Sequence, residues 1–182
     1  SLDPAYVFSE RALPEPDLVS QGLSAEEWQD ALRACKGMTL RQEIYELDVP
    51  ALTRENPAEV PVRLFSAATH NVQIQRLQPH GVNRHAVFLV TESEALAYHY
   101  ELDLRSRTLK PDPRIAHTLT LSVNRYGQPV QTVAVAYPRV RPFEDPDPHL
   151  PTSPAGLEQR VRAVQGELHV AYTETRYTDD FG

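Results

Sequence analysis

Seven histidines are the first residues of this sequence able to do chemistry, because neutral imidazole is the commonest transition-metal ligand. Their spacing does not build a ligand set. His80 and His85 flank a Gly-Val-Asn-Arg turn, His99, His117 and His169 each stand alone in alternating runs, and no HxH or HExxH pair occurs. Solvated or hydrogen-bonded imidazoles are the simpler expectation, so no metal residue is assigned. The single cysteine, Cys35, rules out an internal disulfide and a cysteine-based zinc cage. It falls on the apolar stripe of a helix end beside Lys36, where burial makes a thiol inert more often than nucleophilic.

Carboxylates are plentiful: Glu43, Glu46 and Asp48 on one strand, Glu92 and Glu94 at an expected turn, Glu101 and Asp103 on another strand. Glycoside hydrolysis needs two of them held roughly 5–10 Å apart in a cleft, one with a raised pKa. Glu101 and Asp103 alternate with apolar residues instead, which suits the outer face of a strand. Tyr98, Tyr100, Tyr126, Tyr137, Tyr172 and Tyr177 could stack on sugars, yet long sheets use tyrosine equally for cross-strand packing. The run Asp145-Pro146-Asp147-Pro148-His149 reads as a stiff, solvated loop. No GxSxG, phosphate-binding loop or dinucleotide fingerprint is present. On these grounds no catalytic or cofactor-binding residue is assigned, no cofactor is expected, and the chain is not expected to be an enzyme.

The elements that must position these residues are mostly strands. One helix is signposted over residues 24–36: Ser24 caps it, Glu27 reaches back to the cap, and Trp28, Ala31, Leu32 and Cys35 share one face. Gly37 stands where a left-handed cap belongs. A second helix is expected over residues 154–165, with Pro154 in its first turn and Leu157, Val161 and Val164 on its apolar side. Elsewhere the period is two. Leu96, Tyr98, Tyr100, Leu102 and Leu104 share a face opposite His99, Glu101 and Asp103. Ile115 to Tyr137 folds back on itself at Asn124-Arg125-Tyr126-Gly127, a long hairpin. Ala86–Val90 is apolar on both sides, and Met38–Asp48, Val62–Ala67, Thr69–Gln78 and Glu167–Tyr177 complete the strands. Strands this long predict a mainly β fold, an extended curved antiparallel sheet with two short helices rather than a narrow closed barrel. Residues 1–22 have no sustained period and form an irregular lead-in.

Composition narrows the partners. The 182 residues carry 18 Lys+Arg against 25 Asp+Glu, a net charge of −7, and no basic run, so nucleic acid is not an expected partner. No apolar stretch approaches the roughly 18 residues of a membrane-spanning helix, so membrane insertion by this segment is not expected. A chain of this size can bury roughly 70% of its unfolded surface in one domain. It opens on Ser1 and closes on Thr178-Asp179-Asp180-Phe181-Gly182, which are expected to be cut ends of a single module, residues 1–182, excised from a larger chain.

Several strings resemble the middle region of the B component of bacterial insecticidal toxin complexes, the Tc toxins. They are Arg11–Leu18 (RALPEPDL), Arg33–Gly37 (RACKG), Leu40–Asp48 (LRQEIYELD), Arg76–Pro79 (RLQP), Asn83–Phe88 (NRHAVF), Tyr98–Glu101 (YHYE), Arg114–His117 (RIAH) and Tyr172–Thr178 (YTETRYT). Together they span nearly the whole chain. Leu121–Val130 (LSVNRYGQPV) is similar to a YD-type repeat unit, without the usual Tyr-Asp order. The resemblance implies a secreted, structural role. In that family the B component carries a region shared with a plasmid virulence protein, a β-propeller, this middle region and Rhs-like YD repeats. With the C component it forms a hollow β-walled cocoon around a toxic enzyme, which the pore-forming A component translocates. The implied partners are the propeller and YD-repeat regions of the same chain, the C component, and indirectly the A component. No catalytic residue is carried over. A carbohydrate-binding or adhesive β module using the tyrosines, and a carboxylate-based hydrolase, remain the alternatives.

Overall fold

The computed structural model describes residues 15–19, 22–53, 62–100, 112–139 and 156–178. Along them run β1 (Asp17–Leu18), α1 (Ala25–Ala34), β2 (Arg41–Leu47), α2 (Val49–Thr53), β3 (Val62–Gln78), β4 (Val87–His99), β5 (Arg114–Val123), β6 (Pro129–Ala136), α3 (Leu157–Gln165) and β7 (His169–Glu174). All strands join one seven-stranded sheet in the order β1-β3-β4-β5-β6-β7, with β2 also paired to β3. Every pairing is antiparallel except β1 on β3. The expected class therefore holds: mainly β, long antiparallel strands in an open, curved sheet. Register shifts at Ile44/Tyr45, Asn71/Val72 and Thr120/Ser122 supply the curvature, since each extra residue bends its strand and increases the local twist.

Two expected breaks are absent. Val62–Ala67 and Thr69–Gln78 are one 17-residue strand, β3. Thr91-Glu92-Ser93-Glu94 is not a turn but the middle of β4, where Asn71 pairs with Glu94 and Val72 with Glu92, leaving Ser93 as a bulge. The bulge accommodates acidic residues within a strand by giving each a basic neighbour: Glu92 lies 2.6 Å from His70 and Glu94 2.8 Å from His117. The hairpin forms as expected from β5 and β6. Gly127 adopts φ +79°, and a Cβ there would stand 3.1 Å from Leu89 Cδ1 and 3.2 Å from Thr91 Cγ2. The turn thus leans onto β4, and only glycine fits.

The first helix has the cap expected of it. Ser24 Oγ accepts from the Glu27 amide at 3.2 Å, and Glu27 Oε2 accepts from the Ser24 amide at 3.0 Å. The second expected helix is seen from Leu157 to Gln165, behind Gly156 at φ +88°, while Pro154 lies outside the described residues. Two elements were not expected. The short α2 tolerates Pro50 because a first-turn residue needs no amide donor. β1 arises within the stretch expected to be irregular.

The sheet carries different chemistry on its two faces. Register places Ala68, Ala97, Ala116 and Ala136 in one row and His70, Ala95, Thr118, Ala134 and Ala171 in the next. The opposite face carries Thr69, Leu96, His117, Val135 and Val170, then Asn71, Glu94, Leu119, Val133 and Tyr172. Along β3, Val72 and Ile74 share the side of Ala68 and His70 by alternation. That end of the small-residue face is covered by α1, whose Ala31 packs on Val72 and Ile74 with Leu18, Cys35, Phe88 and Val90 around them. Among the described residues only Ala31, Leu64, Ala67, Val72, Ile74 and Ala86 are buried hydrophobics.

Candidate functional site

Carboxylates on α1 build the most connected polar cluster. Besides its cap bond, the buried Glu27 accepts from Arg76 Nη1 at 2.8 Å and from the His80 amide at 3.1 Å. One turn on, Asp30 accepts from the Ala86 amide and Arg33, both at 3.0 Å, and faces His85 at 3.6 Å. The Ser24 and His80 amides, then Arg76, hold the Glu27 carboxyl below its ordinary range against the opposing effect of burial. The Ala86 amide, with Arg33 and His85, does the same for Asp30. Depressed carboxylates with all these donors stay ionised, which suits clamping a turn rather than donating a proton.

A second cluster lies on β2. Glu43 accepts from Tyr45 Oη at 2.6 Å and from Arg41. The Tyr45 hydroxyl and then the Arg41 charge lower the Glu43 carboxyl, and Glu43 raises Tyr45 in return. A third spans the central strands. His117 Nδ1 meets Tyr137 Oη at 2.9 Å with the rings stacked at 6.0 Å, while Nε2 lies 2.8 Å from Glu94. That last contact does not have hydrogen-bond geometry.

These placements decide how the sequence candidates behave. His70, His80, His85 and His117 each face a carboxylate, His80 and His85 at the α1 seam and His70 and His117 at two others. Among the described residues no group of three or more His, Cys, Asp or Glu side chains could hold a metal ion. Glu101, Asp103 and the 145–149 run lie outside the described residues. Cys35 packs on the core, where burial raises its thiol pKa. The tyrosines disperse: burial raises Tyr100, Tyr137 stacks on His117, Tyr126 lies under Arg125 at 4.7 Å, and Tyr177 donates to Pro129 O at 3.0 Å. An open polar concavity of about 1320 Å³ lies between the hairpin turn and the end of β7, lined by Asn124, Arg125, Gln131, Glu174 and Arg176 among others. No helix among the described residues is long and apolar enough to cross a membrane.

What the sequence did not foreshadow is the edge. Each residue of β7 is exposed, Val170 at 59% and Tyr172 at 55%. The Thr175 amide donates to Val130 O at 2.8 Å. By antiparallel alternation Thr173, Ala171 and His169 then bond inward to β6, so the main-chain groups of Val170, Tyr172 and Glu174 point outward. Among the described residues both face patterns continue to this edge and end there. Periodicity finds such a strand but cannot say that it lacks an outer neighbour.

Among the described residues the chain is thus an open, mainly β sheet with dispersed polar clusters and an exposed last strand, the class of an antiparallel β module. The match to a family model is consistent: residues 30–180 match the insecticide toxin TcdB middle/C-terminal region, and the chain belongs to that family. It is similar to the crystal structures of TcdB2-TccC3 without its hypervariable C-terminal region and of TcdB2-TccC3-TEV, each at 28% identity and a TM-score of 0.52 over 82% of this chain. It spans 6% of the length of either matched chain. No curated protein matches it.

Proposed function

We propose that this segment is one module of a larger, secreted B component and forms part of the wall of a hollow shell that encloses a toxic enzyme together with a C component. The observation that carries this reading is the edge at β7, where the Ala/Thr rows and the Leu/Val/Tyr rows both end with no neighbouring strand among the described residues. A stable free-standing sheet blunts such an edge with charge, proline or a bulge, and β7 has none of these before Glu174. Similarity to TcdB2-TccC3 supports association with the rest of the B chain and a C component. In this role the segment supplies surface rather than catalysis, and the A component meets it only through the assembled toxin.

A wall has an inside and an outside, and that is testable. In a full B component with Cys35→Ser and any cysteine outside these 182 residues replaced, single cysteines at Ala134 on one face and Leu121 on the other report access. After assembly with the C component, a bulky maleimide polymer should label one position and not the other, while a small maleimide labels both. Equal labelling of both by the polymer would overturn the enclosure reading.

A further inference from the structure

The opposite edge of the sheet is covered as far as Ile74, and by three different means. On β3 the His70 amide donates to Leu40 O at 2.8 Å, the Val72 amide to Asn71 Oδ1 at 2.9 Å, and Ile74 O accepts from the Val19 amide at 3.0 Å. β2 thus covers the edge up to His70, β1 covers it at Gln73 and Ile74, and the Asn71 side chain fills the gap between them. Asn71 is buried, and its Nδ2 donates to Glu15 O at 3.3 Å.

We propose that the β3 edge around residues 71–75 is a strand-accepting groove, selective for an extended segment anchored by one leucine, and that residues 15–19 occupy it as a reversible strap. The groove is lined by residues outside the strap. Val72 and Ile74 form its apolar floor, Ala31 of α1 walls it, and Asn71 offers an amide donor at one end. The strap adds little of its own. It pairs over two residues, Asp17 with Gln73 and Leu18 with Ile74, and is the one parallel pairing in the sheet. Leu18 alone of its side chains packs on the floor, and Val19 is exposed. This is peptide recognition by strand addition, in which main-chain bonds hold the segment and a single pocket selects it. Such a segment opens locally while the ladder beneath it stays shut.

Val19→Pro tests this in the full chain, because it deletes the amide that bonds Ile74 O at an exposed position. A labelled peptide of residues 12–21 should bind the variant at least about tenfold more tightly than the unaltered chain, where the tethered strap competes at high effective concentration. The same peptide carrying Leu18→Asp should not bind. Hydrogen exchange on the unaltered chain should find the Val19 amide exchanging about a hundredfold faster than the β3–β4 ladder amides. Equal binding to variant and unaltered chain, binding of the Leu18→Asp peptide, or Val19 exchange that follows global unfolding would each overturn the proposal. Leu18→Ala provides a second release of the strap and should give the same increase in peptide binding.

Discussion

Arg76 on β3 and Glu27 on α1, 49 residues apart in sequence, meet at 2.8 Å over the start of the β3–β4 turn. Their contact decides where α1 sits. The same carboxylate already closes the helix cap and accepts from the His80 amide, so one side chain ties helix, strand and turn together. Glu27→Gln should lower the melting temperature by several degrees, because the neutral amide loses the charge-assisted contact with the half-buried Arg76 guanidinium. Glu26→Gln, one residue away and exposed, should change it by less than a degree. Equal shifts for the two variants would show that the clamp does not hold the helix.

Acid should loosen the same seam. Glu27 and Asp30 are both held below their ordinary range, chiefly by the Ser24 amide and the Ala86 amide respectively. A carboxyl with a folded pKa below its unfolded one contributes stability that is complete above about pH 4–5 and lost as pH falls through the folded value. Melting temperature should therefore fall between pH 5 and pH 3, and the slope should be shallower in the Glu27→Gln, Asp30→Asn double variant. An identical slope in the double variant would place the acid sensitivity elsewhere.

Of the apolar stripe expected on α1, only Ala31 and Cys35 pack on the core, whereas Trp28 and Leu32 are 41% and 63% exposed because nothing described packs over that part of the helix face. The cap of α1 was legible because it is local, Ser24 and Glu27 lying within one turn. The hairpin was legible for the same reason, with Asn124 Oδ1 accepting the Tyr126 and Gln128 amides across a turn of a few residues. What stayed hidden depends on partners distant in sequence. Glu92 and Glu94 look like turn residues until His70 and His117 are placed beside them. Asp17 and Leu18 have no pattern of their own and become a strand only because Ile74 offers its carbonyl. Nothing in alternation distinguishes Val170 on an open edge from Val135 one strand inside.

Gly127 and Gly37 separate two costs that sequence alone confounds. Both take positive φ, at +79° and +93°, but a Cβ at Gly37 meets open space whereas one at Gly127 meets Leu89 and Thr91. Gly37→Ala should cost about 1–2 kcal/mol from backbone strain alone. Gly127→Ala should cost more, since the Leu89 methyl must also move, and Leu89→Ala should recover part of the excess. Denaturant titration of the single and double variants checks this, and equal costs at both glycines would mean the turn does not press on β4.

The thiol of Cys35 should be a slow one. Burial against the α1 core raises its pKa, and the thiolate is the reactive form. A disulfide reagent at pH 7.5 should modify it well below the rate of a cysteine peptide, then at the peptide rate once denaturant unfolds the chain. Reaction at the peptide rate in the folded chain would contradict the packing of this helix face.

The two outer edges of the sheet make opposite predictions for association. β2 is protected: it is bulged at Ile44/Tyr45 and carries Arg41, Glu43 and Glu46. β7 is not, and it presents the outward main-chain groups of Val170, Tyr172 and Glu174 beside exposed apolar side chains. A strand in that state recruits another. The isolated chain should therefore self-associate with rising concentration, and Val170→Lys should weaken this at least about tenfold, because an edge lysine must be desolvated when a strand docks. Ile44→Lys on the bulged edge should leave it nearly unchanged. Sedimentation velocity across a concentration series separates these cases. A chain that stays monomeric throughout, or one whose association responds to Ile44→Lys and not Val170→Lys, would mean that β7 is not the edge from which the sheet continues.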